Sequence, residues 1–267
     1  MSSQITTAFV NQYSSNIQML SQQMGSLLRG AVDVESVNGE KAFFDQVGSA
    51  AAVLRTTRHA DTPLIDTPHS RRMVTMSDYE YADLIDDQDK VRLLVDPTST
   101  YARAAAAAMG RAMDDVIIAA AIGTAKTGKD GSTSTALPSG QKVVHGSASL
   151  TIAKLLSAKE ILDEGSVDPS IPRYIVCAPK QITSLLGTTQ VTSSDFNVSN
   201  RLTTDSDGNR AVIAFAGDGL KLAMGKEPTA RIDERSDKSY ATQVYYCQTI
   251  GATRMEEAKV VEIACTE

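Results

Sequence analysis

The sequence predicts an α+β fold in which one long helix joins a strand-rich first part to a mixed α/β second part. Three observations lead to this prediction. Residues 97–123 show a helical pattern, residues 40–96 contain strand-like segments and turn residues, and helical and strand patterns alternate after residue 149. The 267 residues suffice for one large domain or two smaller ones with a substantial core.

The long helix is the clearest predicted element. Small or apolar side chains recur in it at the i, i+3, i+4, i+7 spacing of a helix that lies on another surface. They are Tyr101, Ala104, Ala105, Ala108, Met109, Ala112, Met113, Val116, Ile117, Ala120 and Ala121. Thr98 or Ser99 can cap its beginning, and Gly123 can end it. About 24 residues make a helix about 36 Å long, which favours a scaffold element over a pocket wall.

The residues before this helix predict an arm and an extended hairpin. Apolar side chains from Phe9 to Leu28 have near-helical spacing, which fits an amphipathic helix lying either on its own subunit or on a neighbouring one. Residues 53–57 and 72–76 are strand-like and flank a tip marked by Pro63 and Pro68. Because a hairpin alone is marginally stable, we expect it to lie on another surface, for which another copy of the chain is a candidate.

The second part predicts short helices and strands in alternation. The predicted elements are a helix at 149–164 stopped by Gly165, a strand at 173–178, a short helix from Pro179 to Leu186, strands at 211–216 and 220–224 around a turn, and strands at 243–250 and 259–264. We expect the last two strands to form a closing antiparallel hairpin.

Composition excludes several classes of protein. The formal net charge is −6 and the longest basic run is Arg71-Arg72, which argues against tight binding of nucleic acid. No apolar run is long enough to cross a bilayer, and the first residues lack the features of a secretory signal, so we expect synthesis in a cytosol. The three cysteines are widely spaced, which predicts buried structural thiols rather than disulfides.

We predict no catalytic, cofactor-binding or metal-binding residues. Residues 123–129 fit the phosphate-loop spacing GxxxxGK, but Asp130 replaces the required Ser or Thr and the motif follows a helix rather than a strand. A surface loop or short hairpin fits better, although a nucleotide-binding α/β enzyme remains an alternative. The histidines are His59, His69 and His145, and they lack metal-ligand spacing. The acidic cluster of Asp83, Asp86, Asp87 and Asp89 lacks the spacing of a calcium loop.

Charged residues near the hairpin are better candidates for contacts between subunits. Basic side chains occur along the hairpin and acidic ones follow it, so the two groups can pair between neighbouring copies. The candidate contact residues are Arg55, Arg58, Arg71, Arg72, Asp83, Asp86 and Asp87.

The order of these parts resembles the tailed-bacteriophage major capsid proteins with the Hong Kong 97-type fold. The resemblance covers essentially the whole chain and is most specific in residues 61–125, with further similar segments at 149–165 and 249–265. It implies an N-arm at 1–35, an extended hairpin (E-loop) and the start of the P-domain at 36–96, and the P-domain spine helix with its following loop at 97–144. An α/β A-domain at 145–240 and the return strands of the P-domain at 241–267 complete the expected order.

The resemblance also implies a function and partners. It implies a head protein that self-assembles into hexamers and pentamers, forming an icosahedral shell around phage DNA in the virion, with assembly in the host bacterial cytoplasm. The chain begins close to the arm, so we expect a separate scaffolding protein, together with a portal protein and packaged double-stranded DNA that is not bound specifically. A decoration protein remains open as a further partner. An encapsulin-like nanocompartment shell is the alternative within the same fold.

Overall fold

A computed structural model describes residues 21–58, 61–62, 64–86, 98–187, 197–205 and 207–266. The helices are α1 (Thr98–Ile122), α2 (Ile152–Glu164) and α3 (Pro179–Leu186). The strands in chain order are β1 (Asp33–Ser36), β2 (Lys41–Val47), β3 (His69–Thr75), β4 (Ser77–Ile85), β5 (Ala125–Thr127), β6 (Thr133–Thr135), β7 (Lys142–Val143), β8 (Arg173–Cys177), β9 (Asn197–Val198), β10 (Asn209–Ala216), β11 (Leu220–Arg235), β12 (Ala241–Arg254) and β13 (Val260–Thr266).

Helix α1 confirms the predicted long helix. Its buried side repeats at four-residue intervals, as the stripe predicted, and the residues are Ala105, Met109, Met113, Ile117 and Ala121. Ile118 and Asp114 are also buried, although the pattern did not include them. The amide of Gly123 donates to the carbonyl of Ala119 at 2.8 Å, which closes the last turn. The predicted cap lies outside the residues whose side chains are described.

The first sheet has the strand order β1-β11-β12-β4. Strands β11 and β12 form a long antiparallel hairpin, β4 pairs antiparallel with β12, and β1 pairs parallel with the first residues of β11. Helix α1 lies against this sheet, and the buried Gln248 of β12 donates from Nε2 to the Met109 carbonyl at 3.0 Å. Helix α1 and the first sheet are therefore packed as one unit.

The second sheet has the order β7-β13-β10-β8-β9. One face packs under α2 and α3, with Leu162, Leu185 and Val212 in that core. The alternate residues Ile213 and Phe215 join a separate core that includes Ile117 of α1. This alternation of neighbouring residues between two cores is what a strand buried on both faces requires.

The predicted closing hairpin is wrong. Strand β12 lies between β11 and β4 in the first sheet, whereas β13 lies between β10 and β7 in the second. The chain passes from the second sheet to the first at residues 217–219 and returns at residues 255–259. Proximity in sequence favoured a hairpin, but each strand has two partners elsewhere. Strand β11 also continues to Arg235, beyond the predicted end at residue 224. The extension was missed because most of its side chains are exposed and do not alternate between apolar and polar.

A third sheet, β2-β3-β5-β6, contains the extended hairpin. Its first strand is Lys41–Val47 rather than the predicted 53–57, which has no regular structure. Phe44 and Val74 are the buried apolar side chains of the β2–β3 pair, and they pack against Ala223 of β11. The base of the hairpin is therefore anchored on its own subunit, and only the segment between β2 and β3 extends beyond it.

Several predictions lie outside the described residues. They concern residues 1–20 of the arm, His59, Pro63, Asp87 and Asp89. Residues 21–28, to which the predicted helix of the arm extended, form no helix. Within the described residues, the predicted α2, α3, β8, β10 and the turn at 217–219 are confirmed.

Candidate assembly surfaces

The tip loop, residues 48–68, is the most exposed part of the described hairpin. Its two ends are close, since the Gly48 amide donates to the Pro68 carbonyl at 2.8 Å. Between them, Leu54 is 83% exposed and Leu64 is 99% exposed, and Val53 and Ile65 are about half exposed. Arg55 and Arg58 are exposed on the same loop. The loop thus presents apolar side chains and cations that its own subunit does not cover.

Arg72 lies in the subunit interior at the base of the hairpin. It is 7% exposed and donates from Nε to the Met255 carbonyl at 2.8 Å. Its Nη2 forms an ion pair with Glu257 at 2.6 Å. These bonds join β3 to the segment between β12 and β13, so Arg72 fixes the hairpin to its own subunit rather than offering a free charge to a neighbour.

Arg71 lies on the exposed face of the same strand. It forms an ion pair with Asp45 of β2 at 2.5 Å, and its guanidinium lies 5.5 Å from the ring centre of Phe43. The hydrogen bond from Arg71 lowers the pKa of the Asp45 carboxyl. Because the pair is exposed, it contributes little to subunit stability, and Arg71 remains accessible to another molecule.

The acidic residues follow the hairpin along strand β4. Asp83 is half-buried and accepts from the amide of Leu84 at 2.9 Å, and Asp86 is exposed just beyond the strand. Glu80 accepts a hydrogen bond from the Tyr245 hydroxyl at 2.9 Å, which raises the pKa of Tyr245 to about 12. Strand β4 is an edge strand, so this acidic row lies at the rim of the first sheet.

Arg254 is a buried cation at the end of α1 that the sequence analysis missed. It is fully buried and donates from Nη1 to the carbonyls of Ala121 and Gly123 at 2.9 and 2.7 Å. Its Nη2 donates to the Thr135 carbonyl at 3.0 Å. A cation at this place satisfies carbonyls that the helix end leaves free and complements the helix dipole.

Asp114 is a buried carboxylate in the middle of α1 that was also missed. It is 0% exposed and accepts hydrogen bonds from residues 23–28. Its neighbour Asp115 forms an ion pair with Arg201 instead. Both aspartates lie outside the apolar stripe predicted for α1, so they were expected to face solvent and neither contact was predicted.

The phosphate-loop spacing at 123–129 has no matching structure. Residues 125–127 and 133–135 form the short hairpin β5–β6, which agrees with the loop or hairpin that we expected. Lys126 donates to the Ser134 hydroxyl at 2.8 Å across it. A phosphate loop instead joins a strand to the beginning of a helix.

Other chemical features are few within the described chain. No group of His, Cys, Asp or Glu side chains in those residues is arranged to hold a metal ion. None of their helices combines the length and apolar character needed to cross a bilayer. Cys177 and Cys265 are buried, as predicted, but Cys247 is half-exposed. Burial raises the pKa of the Cys177 thiol to about 12, so this thiol is inert at neutral pH.

The described residues combine an exposed hairpin tip loop with a long helix that packs against two sheets. Comparison with known proteins shows the class to which this arrangement belongs. A family model described as phage capsid protein matches residues 5–207 and 198–267. The chain therefore belongs to the phage capsid protein family. No curated protein sequence matches it.

Solved structures show the same fold. The capsid structure of cyanophage P-SCSP1u has a TM-score of 0.76 and 15% identity, covering 98% of this chain and 94% of that one. The capsid of Ralstonia phage GP4 has a TM-score of 0.74 and 11% identity, covering 97% and 95%. The capsid of the native GTA particle has a TM-score of 0.71 and 11% identity, covering 100% of both chains.

The fold and the family confirm the resemblance drawn from the sequence. The chain has the α+β phage capsid fold and is a major capsid protein that forms the shell. The encapsulin-like alternative is not favoured, since the family model that spans the chain is that of phage capsid proteins.

Proposed function

We propose that this major capsid protein assembles as hexamers and pentamers into an icosahedral shell around double-stranded DNA, without catalysing a reaction. The observation that carries the proposal is the tip loop, which exposes apolar side chains beyond a hairpin whose base is fixed internally. Exposed apolar patches of this kind mark interaction sites. A negative net charge suits a shell that holds DNA without binding it tightly.

The parts of the chain have distinct roles in this proposal. Within residues 36–96, the tip loop reaches over an adjacent subunit. Within residues 1–35, the arm extends to a neighbour from the point where it leaves the core at Leu28. Residues 97–144 brace the shell through α1, residues 145–240 cluster at the centre of each ring, and residues 241–267 supply the return strands of the P-domain. The packing of α1 against the first and second sheets supports the bracing role.

Charge pairing between copies contributes to the same contacts. Arg55 and Arg58 are exposed on the tip loop, and Asp83 and Asp86 line the rim of the first sheet. We assign these four residues, with Arg71, to contacts between subunits, whereas Arg72 acts within the subunit. Asp87 continues the acidic sequence and belongs to the same proposed surface. Each exposed pair contributes only modestly, but a shell repeats each contact many times.

The proposal includes further partners and a place of assembly. A separate scaffolding protein guides the shell, a portal protein occupies one vertex, and a decoration protein is a further candidate on the outer surface. Assembly takes place in the host bacterial cytoplasm, before the shell becomes part of the virion.

Replacement of the tip loop tests the proposal. Residues 49–67 are exchanged for Asn-Gly, a turn suited to a two-residue hairpin, because the Gly48–Pro68 hydrogen bond already brings the two ends together. The shortened chain should remain folded, with an unchanged urea midpoint for the unassembled subunit. Electron microscopy should show no particles under conditions in which the wild type forms them.

A matched pair of point variants sharpens the test. Leu64→Ser removes an apolar side chain at the tip and should reduce particle yield, whereas Val144→Ser removes a similarly exposed one outside the hairpin, at 77% exposure, and should not. Wild-type particles from the shortened chain would contradict the role of the tip loop.

A further inference from the structure

The segment before the core crosses the middle of α1 and is held mainly by one carboxylate. We call residues 22–27 the strap. Asp114 Oδ2 accepts from Gln23 Nε2 at 2.5 Å and from the Leu27 amide at 3.1 Å. Asp114 Oδ1 accepts from Ser26 Oγ at 2.5 Å and from the Leu28 amide at 3.1 Å. All four donors are neutral groups from six consecutive residues.

The helix surface is shaped to receive the strap. Gly110 lies one turn before Asp114, and a Cβ there would come within 2.6 Å of the Ser26 amide nitrogen and overlap the backbone of Gly25. Arg111 donates from Nη1 to Gln22 Oε1 at 3.0 Å and to the Gln23 carbonyl at 3.1 Å. Only glycine at 110 permits this backbone-to-backbone approach.

The strap itself buries little apolar surface. Met24 is 59% exposed and Leu27 is 46% exposed, and no residue from 22 to 27 is fully buried. Leu28, in contrast, is 1% exposed and belongs to the main core. The firmly fixed part of the chain therefore begins at Leu28, whereas the strap depends on polar bonds to α1.

We propose that Asp114 is the latch of a releasable strap that sets where the arm leaves the subunit. When the strap is closed, the arm emerges over the middle of α1. When it opens about Leu28, water replaces the four donors at Asp114 and little apolar burial is lost, so opening does not require the core to unfold. This is a property of the single subunit and does not depend on the geometry of the shell.

Hydrogen exchange on the unassembled full-length chain tests the latch. In Asp114→Asn, the amides of Leu27 and Leu28 lose a charged acceptor and should exchange about tenfold faster or more. Amides of β12 at 248–252 should keep their wild-type rates. Asp115→Asn is the matched control, because Asp115 is the next residue of α1 but pairs with Arg201, and it should leave the exchange of the strap unchanged.

A second variant opens the strap without altering the carboxylate. Gly110→Ala places a methyl group against Gly25 and should accelerate exchange of the strap to a similar degree. The proposal is overturned if either Asp114→Asn or Gly110→Ala leaves the strap protected. It is equally overturned if the strap and β12 accelerate by the same factor, because the strap would then open only with the whole subunit.

Discussion

Arg254 connects three parts of the chain through backbone carbonyls. Its guanidinium reaches the last turn of α1, the residue after it and strand β6. Burial lowers the pKa of Arg254 from its usual high value, but the side chain remains a cation at neutral pH. The planar fork of donors is what allows one side chain to hold three carbonyls in fixed positions.

Replacing Arg254 should therefore destabilise the subunit strongly. Arg254→Ala leaves three carbonyls without their donor and a cavity at the end of α1, and we expect a loss of roughly 3–5 kcal/mol in the free energy of unfolding. Urea unfolding of the unassembled chain measures this loss as a lower midpoint. Arg235→Ala removes an exposed arginine paired with Asp237 and should change the free energy by no more than about 0.5 kcal/mol. Equal midpoints for the two variants would contradict the role given to Arg254.

The contacts of the buried charged residues were not predictable from the sequence. Asp114, Arg254 and Glu257 occur in ordinary polar contexts, and their partners are 86, 133 and 185 residues away in the chain. A buried charge becomes recognisable only when the fold brings its partners to it. The same holds for Arg72, since its ion pair with Glu257 cannot be inferred from spacing.

At the scale of elements, α1, α2 and α3 were predicted well, whereas the helical spacing that continued to Leu28 was misleading, because residues 21–28 contain no helix. The strand pairings were predicted less well. The stripe of α1 and the glycine at its end are local signals, and so are Gly165 after α2 and Pro179 at the beginning of α3. Pairing of β12 and β13 with other sheets is decided by contacts distant in sequence. The strand Lys41–Val47 was missed because its single buried phenylalanine gives a weak alternation.

We predict that the tip loop of one copy contacts strand β4 of another. Reversing two charges on the loop, Arg55→Glu with Arg58→Glu, should reduce particle yield at least about tenfold, because like charges would then face each other across a repeated interface. Reversing the acidic side, Asp83→Lys with Asp86→Lys, should have the same effect. Counting particles by electron microscopy measures both.

The combined variant is the decisive control for this pairing. A variant that carries all four substitutions should recover much of the particle yield, because the reversed charges of the loop and of the strand attract each other again if the two groups are in contact. Arg55→Glu with Arg58→Glu should leave the unassembled subunit as stable as the wild type, because both side chains are exposed. Urea unfolding of the variants that carry Asp83→Lys separates a loss of stability at the half-buried Asp83 from a loss of assembly. Combined reversals that assemble no better than either pair would contradict the proposed contact.

At the scale of the whole molecule, the fold divides into a packed body and two segments that lie outside it. Helix α1 packs against both the first and the second sheet, and Arg72 fixes the base of the hairpin. These elements therefore form one packed body. The tip loop and the strap lie outside it, one exposing apolar side chains and the other held by polar bonds. Such a division suits a subunit that gains stability by adding many moderate contacts to identical neighbours.

The overall class was predictable because it depends on the order of parts, which the sequence displays directly. A long helix between a hairpin and an α/β part is visible from periodicity and turn residues, and the family model confirms the resemblance over the whole chain.

Electron microscopy of the purified full-length chain, combined with size-exclusion chromatography, tests the central claim most directly. The account predicts closed shells, tubes or rings of capsomer size, formed by the chain alone or on co-expression with a scaffolding protein. A defined monomer or dimer under both conditions, with specific binding of a nucleotide at residues 123–129, would contradict it and favour the enzyme alternative.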